Sequence, residues 1–212
     1  MSSRSALLVV DIQPDFLPGG ALPVEHGNEI LDPVADLMRS DRFGLRVATQ
    51  DWHPPDHISF ASRHQGKAPY DRIELYGHEQ ILWPDHCIQG TPGAELRRGL
   101  PWERVDAVIR KATDPVVDSY SAFRNNWNAA GERPATGLGG YLRDRGIEAV
   151  FICGLARDFC VKWSAEDAVA AGLRAHVLWG LTRAIYPEKD EENERSLRAL
   201  GVEILESGDL PG

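Results

Sequence analysis

Ala6-Leu-Leu-Val-Val10, followed at once by Asp11, decides the fold. Five consecutive apolar residues cannot alternate a wet face with a dry one. They read as a strand buried on both sides, which is the habit of parallel sheets covered by helices. Working outward, similar runs follow at 45–49, 105–109, 149–153, 175–178 and, more weakly, 202–205. Between them lie stretches with apolar residues at helical spacing. In 29–38 these are Ile30, Leu31, Val34, Leu37 and Met38, and 138–145, 159–171 and 188–200 are patterned alike. Gly146, Gly172 and Gly201 each close a helix and precede a strand, where a left-handed cap belongs. Strand–helix alternation at this spacing predicts an α/β three-layer sandwich, a six-stranded, mostly parallel sheet flanked by helices.

The chain has 212 residues, and at about 150 residues per domain it reads as one unit spanning 1–212. A chain of this size buries roughly 70% of its unfolded surface, so its core needs no disulfide or structural metal. Lys and Arg number 23 against 32 Asp and Glu, a net charge of −9, which argues against nucleic acid or an anionic membrane as a partner. The apolar run after Met1-Ser-Ser-Arg-Ser is too short for a signal peptide, and no stretch approaches a membrane span. Three cysteines without a CxxC pair point to a reducing, cytoplasmic setting. The segment 51–99 breaks the alternation. It is proline-rich, holds His53, His57, His64, His78 and His86, and carries enough aromatics to be ordered. A loop of that length in a compact domain is usually functional.

Ligands of open α/β sheets bind outside the carboxyl ends of the strands. The residues there are Asp11, then Asp51-Trp-His53, then Lys111, then Cys153-Gly-Leu-Ala-Arg-Asp-Phe-Cys160. Asp158 reads as an N-cap that places Cys160 in the first turn of the next helix, where backbone N–H groups and a nearby Lys111 favour a thiolate. Asp11 is then the candidate base. Cys87 and Cys153 read as buried hydrophobes. Asp51 and His53 are two apart on a strand and share a face; with His86 they form a mixed O/N set suited to Zn²⁺, Fe²⁺ or Mn²⁺. His57, His64 and His78 are further candidate ligands. Phe16, Trp83 and Tyr120 can wall a pocket for a planar ring, although aromatics more often pack a core. Asp71, Arg72 and Glu74, and the run 188–192, read as solvated surface, and the glycines of 137–140 carry little weight as a phosphate cradle because no strand precedes them.

Six blocks together resemble the nicotinamidases of the isochorismatase-like (cysteine hydrolase) superfamily. They are Leu8-Val-Val-Asp11-Ile-Gln-Pro-Asp-Phe16, Thr49-Gln-Asp51-Trp-His53-Pro, Trp83-Pro-Asp-His86-Cys-Ile-Gln-Gly-Thr, Lys111-Ala-Thr-Asp, Asp118-Ser-Tyr120-Ser-Ala-Phe123 and Gly154-Leu-Ala156-Arg-Asp-Phe-Cys160-Val. The resemblance implies the isochorismatase-like hydrolase fold and hydrolysis of nicotinamide to nicotinate and ammonia through a cysteine thioester, in NAD salvage, with pyrazinamide as a second substrate. It implies Asp11, Lys111 and Cys160 as catalytic triad. It further implies Asp51, His53 and His86 as ligands of one divalent metal, Zn²⁺ first, with His57 or water completing the set. Phe16, Trp83 and Tyr120 become the substrate-enclosing aromatics. The Leu155–Ala156 bond corresponds to the family's cis peptide, which aims the Ala156 N–H at an oxyanion beside the Cys160 N–H. Isochorismate-hydrolysing members lack the cysteine, and amidohydrolases of N-carbamoyl or ureido compounds lack the metal set; the latter remain the rival reading, with a non-catalytic binding protein beyond them. Arg157 stands where nicotinamidases commonly carry Thr. A homo-oligomer stays open.

Overall fold

The computed structural model describes residues 2–206, with side chains from Arg4 onward. The expected unit over 1–212 therefore extends outside the described residues at both ends. In chain order come β1 (Ser2–Val10), α1 (Leu31–Arg39), β2 (Phe43–Asp51), β3 (Arg72–Leu75), β4 (His78–Ile81), β5 (Ala107–Lys111), α2 (Leu138–Asp144), β6 (Ala149–Leu155), α3 (Lys162–Ala170), β7 (Arg174–Arg183), α4 (Asp190–Ala199) and β8 (Glu203–Leu205). Six of the strands form one sheet in the order β5-β2-β1-β6-β7-β8, every neighbouring pair parallel.

The continuous apolarity of 6–10 is divided between the two sides of this sheet. Leu7 and Val9 pack with Val34, Leu37 and Met38 of α1, whereas Ala6, Leu8 and Val10 pack with Leu138 and Leu142 of α2, Ala165 and Ala168 of α3 and Leu197 of α4. Each such side chain taken fully out of water stabilises the fold by about 1.5–3 kcal/mol. The chain runs outward from β1 to β2 and β5 on one flank, then crosses back to β6 and continues to β7 and β8 on the other. The order reverses between β1 and β6, so the carboxyl ends of these two strands flank the crevice where such sheets bind ligands. Asp11 follows one of them and Cys160 the other. Among the described residues no helix is long and apolar enough to cross a membrane.

Several elements depart from the sequence reading. The third expected strand, 105–109, lies two residues later as β5, because 102–104 form a 3-10 turn and the polar pair Arg110-Lys111 completes the pairing opposite Gln50 and Asp51. The segment 51–99 holds the hairpin β3–β4, turned by Tyr76 and Gly77 at φ 55° and 81°. Two consecutive left-handed residues make the tight turn that suits the twist of a hairpin. Its strands are only four residues each and partly charged, with Arg72 donating to Glu79 across the pair at 2.7 Å, so they lack the continuous apolar runs that mark the main sheet. The glycine caps are as expected, with φ 67°, 82° and 87° at Gly146, Gly172 and Gly201.

Candidate active site

Lys111, the last residue of β5, is fully buried and stands at the centre of the site. Its Nζ lies 3.0 Å from Asp11 Oδ2, and donates to Asp51 Oδ1 at 2.7 Å, to Ser119 O at 3.0 Å and to Cys160 Sγ at 3.4 Å. The three strand ends therefore bring the acid, the amine and the sulfur into direct contact. Burial opposes the lysine's charge, but the carboxylates of Asp11 and Asp51 outweigh it and hold its pKa well above the ordinary value. Burial raises the Asp11 carboxyl, against the pull of Lys111 and with the help of Asp51, as a general base requires. Asp11 sits in left-handed backbone, φ 45°, and its carboxylate accepts the Thr49 hydroxyl at 2.6 Å.

Cys160 lies in a wide turn, Arg157–Val161, that opens into α3 and is closed by the Val161 N–H donating to Ala156 O at 3.0 Å. The expectation of a ready thiolate needs correcting. Burial pushes the Cys160 thiol well above its ordinary range, against the opposing pull of Lys111, so its proton must be removed by a partner. The Asp158 N-cap is also corrected. Ala156 occupies that position, and the Asp158 carboxylate accepts the N–H groups of Ile185 at 3.0 Å and Tyr186 at 2.8 Å. Cys87 and Cys153 are buried as expected, with the Cys153 thiol pushed up to about 12 by burial.

Beside the sulfur, donor atoms of Asp51, His53 and His86 lie within 4.8 Å of one another. The long loop is held there by backbone pairing. The His53 N–H donates to Cys87 O, the Gln89 N–H to His53 O and the Trp83 N–H to Ser59 O. The His86 Nδ1–H donates to Pro84 O at 2.7 Å, which leaves the Nε2 lone pair facing Asp51. Burial raises the Asp51 carboxyl, but Lys111 and then His53 outweigh it and hold it far below the carboxylate range. His53 Nε2 stands 3.2 Å from Asp51 Oδ2, while its buried Nδ1 has no hydrogen-bond partner, a costly state for an imidazole nitrogen that ligates nothing. A carboxylate and two imidazoles with their donor atoms gathered around one point fit a divalent ion. Of the other candidates, His57 is bonded to Ser59 Oγ and Val117 O, His64 to Ile58 O, and His78 stacks on Trp127. Among the described residues His64 and His78 belong to no cluster of potential ligands, whereas His57 lies with His53 and Asp118, their donor atoms within 4.8 Å of one another.

Phe16, Trp83 and Tyr120 line one pocket with Asp51, His53, His86, Ala156 and Cys160. The cavity itself is tight, about 20 Å³, so its walls stand close together around the sulfur and the donor cluster. Phe16 meets the His86 ring at 5.4 Å, and the Trp83 indole N–H donates to Tyr120 Oη at 3.1 Å. The Leu155–Ala156 peptide is cis. Sequence reasoning missed Phe159, whose ring stands edge-on to Trp83 and Tyr120 at 4.9 and 5.4 Å, and Ile185, both of the pocket wall. It also missed Gln13, whose amide bonds both the N–H and C=O of Asp51 at 2.8 Å. Thr49 and Gln13 stand inside blocks that carry the family resemblance, which was the available signal. The run 188–192 is not wholly solvated, since Asp190 is paired with Arg157.

A buried lysine thus joins an acid to a cysteine at the switch point of a parallel α/β sheet, beside a three-donor cluster, the place where such folds carry a hydrolase's active site. The isochorismatase domain profile matches residues 5–209, and the chain belongs to that family. It is 44% identical to a nicotinamidase of Acinetobacter baylyi over 98% of this chain and 91% of that one, and 39% identical to a nicotinamidase of Escherichia coli over 96% and 95%. Among solved structures it is similar to an Acinetobacter baumanii nicotinamidase pyrazinamidase (TM-score 0.92, 42% identity, all of both chains) and to PnC1 from L. infantum in complex with nicotinate (0.86, 38%, 100% and 97%). It also resembles a Pyrococcus horikoshii pyrazinamidase in complex with zinc (0.77, 37%, 96% and 99%).

Proposed function

We propose that this chain hydrolyses nicotinamide to nicotinate and ammonia through a thioester on Cys160, accepts pyrazinamide as a second substrate, and serves pyridine-nucleotide salvage in the cytoplasm. The observation that carries the reading is the Lys111 ammonium in contact with Asp11, Asp51 and Cys160 at the floor of an aromatic pocket. The relatives' names and the nicotinate-bound neighbour support the substrate class.

Phe16, Trp83 and Tyr120 enclose the ring and exclude water, and set the amide carbonyl over the sulfur. Asp11 takes the Cys160 proton as the sulfur attacks the carbonyl carbon, and the carbonyl π pair moves onto oxygen. The N–H groups of Ala156 and Cys160 donate to that oxyanion, each worth roughly 3 kcal/mol of barrier. The C–N bond breaks as Asp11 returns the proton to nitrogen, releasing ammonia and leaving the thioester. Water then gives a proton to Asp11 and attacks the thioester carbon, and nicotinate leaves as the sulfur is reprotonated. Lys111 stabilises the Asp11 carboxylate and the transient thiolate throughout. Asp51, His53 and His86 would hold a divalent ion, Zn²⁺ first with Fe²⁺ or Mn²⁺ as alternatives, which when bound supplies a Lewis-acid position for the pyridine nitrogen and for water.

The test is ammonia release from nicotinamide, after metal analysis, set against an N-carbamoyl amino acid and a ureido acid. Preference for nicotinamide is expected; preference for either of the others assigns the site to a different amidohydrolase. Cys160→Ala is expected to abolish ammonia release while still binding nicotinate in an equilibrium titration. Substantial turnover by that variant removes Cys160 as nucleophile.

A further inference from the structure

Arg157 opens the turn that carries Cys160 and directly follows Ala156. Its side chain is buried. Nε donates to Thr182 Oγ1 at 2.8 Å, one terminal nitrogen donates to Trp179 O at 3.0 Å and Thr182 O at 2.7 Å, and the other is paired with Asp190 at the start of α4. The guanidinium carbon also stands 4.2 Å from the Trp179 ring centroid. The next residue, Asp158, grips the same segment through the N–H groups of Ile185 and Tyr186. Two successive side chains thus fasten the nucleophile turn to 179–190, the end of β7, the connection after it and the first residue of α4.

A buried guanidinium is tolerated only when its donors are satisfied, and here the planar fork spans three acceptors and an ion pair. Lysine, a point charge on a flexible stem, cannot reproduce that set. Oxyanion donors act only when held at hydrogen-bonding distance from the developing charge, so the anchorage of the turn bears on the chemical step rather than on the ring.

We propose that Arg157 is a positioning residue for acyl transfer: anchored on Trp179, Thr182 and Asp190, it holds the Ala156–Cys160 turn so that its N–H groups meet the oxyanion. The inference rests on the amidase reading above and adds to it a residue that touches no substrate.

The test uses the metal-loaded full chain and the variants Arg157→Met, Arg157→Lys and the milder Thr182→Val. Four quantities are read: kcat and KM for nicotinamide, and Kd for nicotinate and for nicotinaldehyde. The aldehyde carbon bonds to the Cys160 sulfur while the thiol proton passes to the carbonyl oxygen, giving a tetrahedral adduct with its oxygen at the oxyanion position. In Arg157→Met, kcat is expected to fall roughly 10- to 100-fold, as misplacement by about 1 Å does elsewhere. Nicotinaldehyde affinity should fall in parallel, with KM and nicotinate Kd within about threefold of wild type. Arg157→Lys should recover only part of the loss, and Thr182→Val should show a smaller loss in the same pattern. Folded variants with undiminished kcat overturn the proposal. So does parallel weakening of nicotinate and nicotinaldehyde, which marks a general loosening; if neither Arg157 variant folds, Thr182→Val decides by the same criteria. Wild-type protein that releases no ammonia from nicotinamide sinks the amidase reading, whereas wild-type turnover with undiminished Arg157→Met turnover sinks the clamp alone.

Discussion

Asp11 has to accept a proton from a thiol and return it to nitrogen, so its own affinity for protons is the quantity the site has to tune. Burial raises it, Lys111 opposes, and the Thr49 hydroxyl opposes too by donating to the ionised carboxylate at 2.6 Å. Thr49→Val removes that donor and nearly preserves shape. Without it the ionised form loses a hydrogen bond, the Asp11 pKa rises, and less carboxylate is present at a given acidic pH. The acid limb of the kcat/KM profile is therefore expected to move to higher pH, with a smaller loss on the alkaline side. A limb that stays put or moves down contradicts this role for Thr49. The partnership was not legible in the sequence. Thr49 reads as a β-branched strand residue, and nothing local says that its hydroxyl meets a residue 38 positions earlier. Asp158 misled for a related reason: a short acidic residue before a helix has the pattern of an N-cap, and only tertiary packing sends its carboxylate to Ile185 and Tyr186 instead.

At the scale of elements, the site depends on how closely β1 and β6 approach at their carboxyl ends. Gly154 sits there with φ 113°, and a Cβ at this position would stand 2.0 Å from Val10 O, one residue before Asp11. Backbone cannot yield as a flexible side chain does. Gly154→Ala is expected to part the two strands or distort the turn toward Cys160, destabilising the protein by about 3 kcal/mol or more, since strained backbone and overpacking each cost 1–3 kcal/mol. Urea unfolding checks the stability, and kcat should fall further than the nicotinate affinity; a variant as stable as wild type would show the approach to be looser than it stands. The sequence marks Gly154 only as a glycine in a familiar block. Apolar runs made β1 and β6 legible, because those strands are buried on both faces. The same criterion misplaced β5 by two residues and passed over β3 and β4, whose partners are charged side chains and turn backbone.

For the whole molecule, the three-layer arrangement was readable because continuous apolar runs and helical periodicity take turns along most of the chain, and the site's position followed from the order reversal between β1 and β6. The fit of the pocket wall was not, since Phe159 and Ile185 reach it only through the packing of separate segments. The folded state also carries a cost that no local pattern shows: neutral imidazoles sealed in the interior. Burial, with the His53 ring adding to it, pushes His57 down to about 4 and His86 to about 3, from an ordinary 6.5. Below pH 6.5 the unfolded chain therefore binds protons that the native metal-free protein does not, and stability falls as pH falls. The contribution is fully present above about pH 6.5 and drains away toward pH 4 and below; for His57 alone it reaches about 3 kcal/mol, at ~1.4 kcal/mol per tenfold change in proton affinity. Chelated protein is thus expected to show a urea midpoint that drops steadily between pH 7 and pH 4.5, and His57→Asn should flatten part of that slope. An unchanged midpoint across this range would mean that these rings already carry their protons in the folded state, and that the interior around Asp51 is wetter than its packing implies.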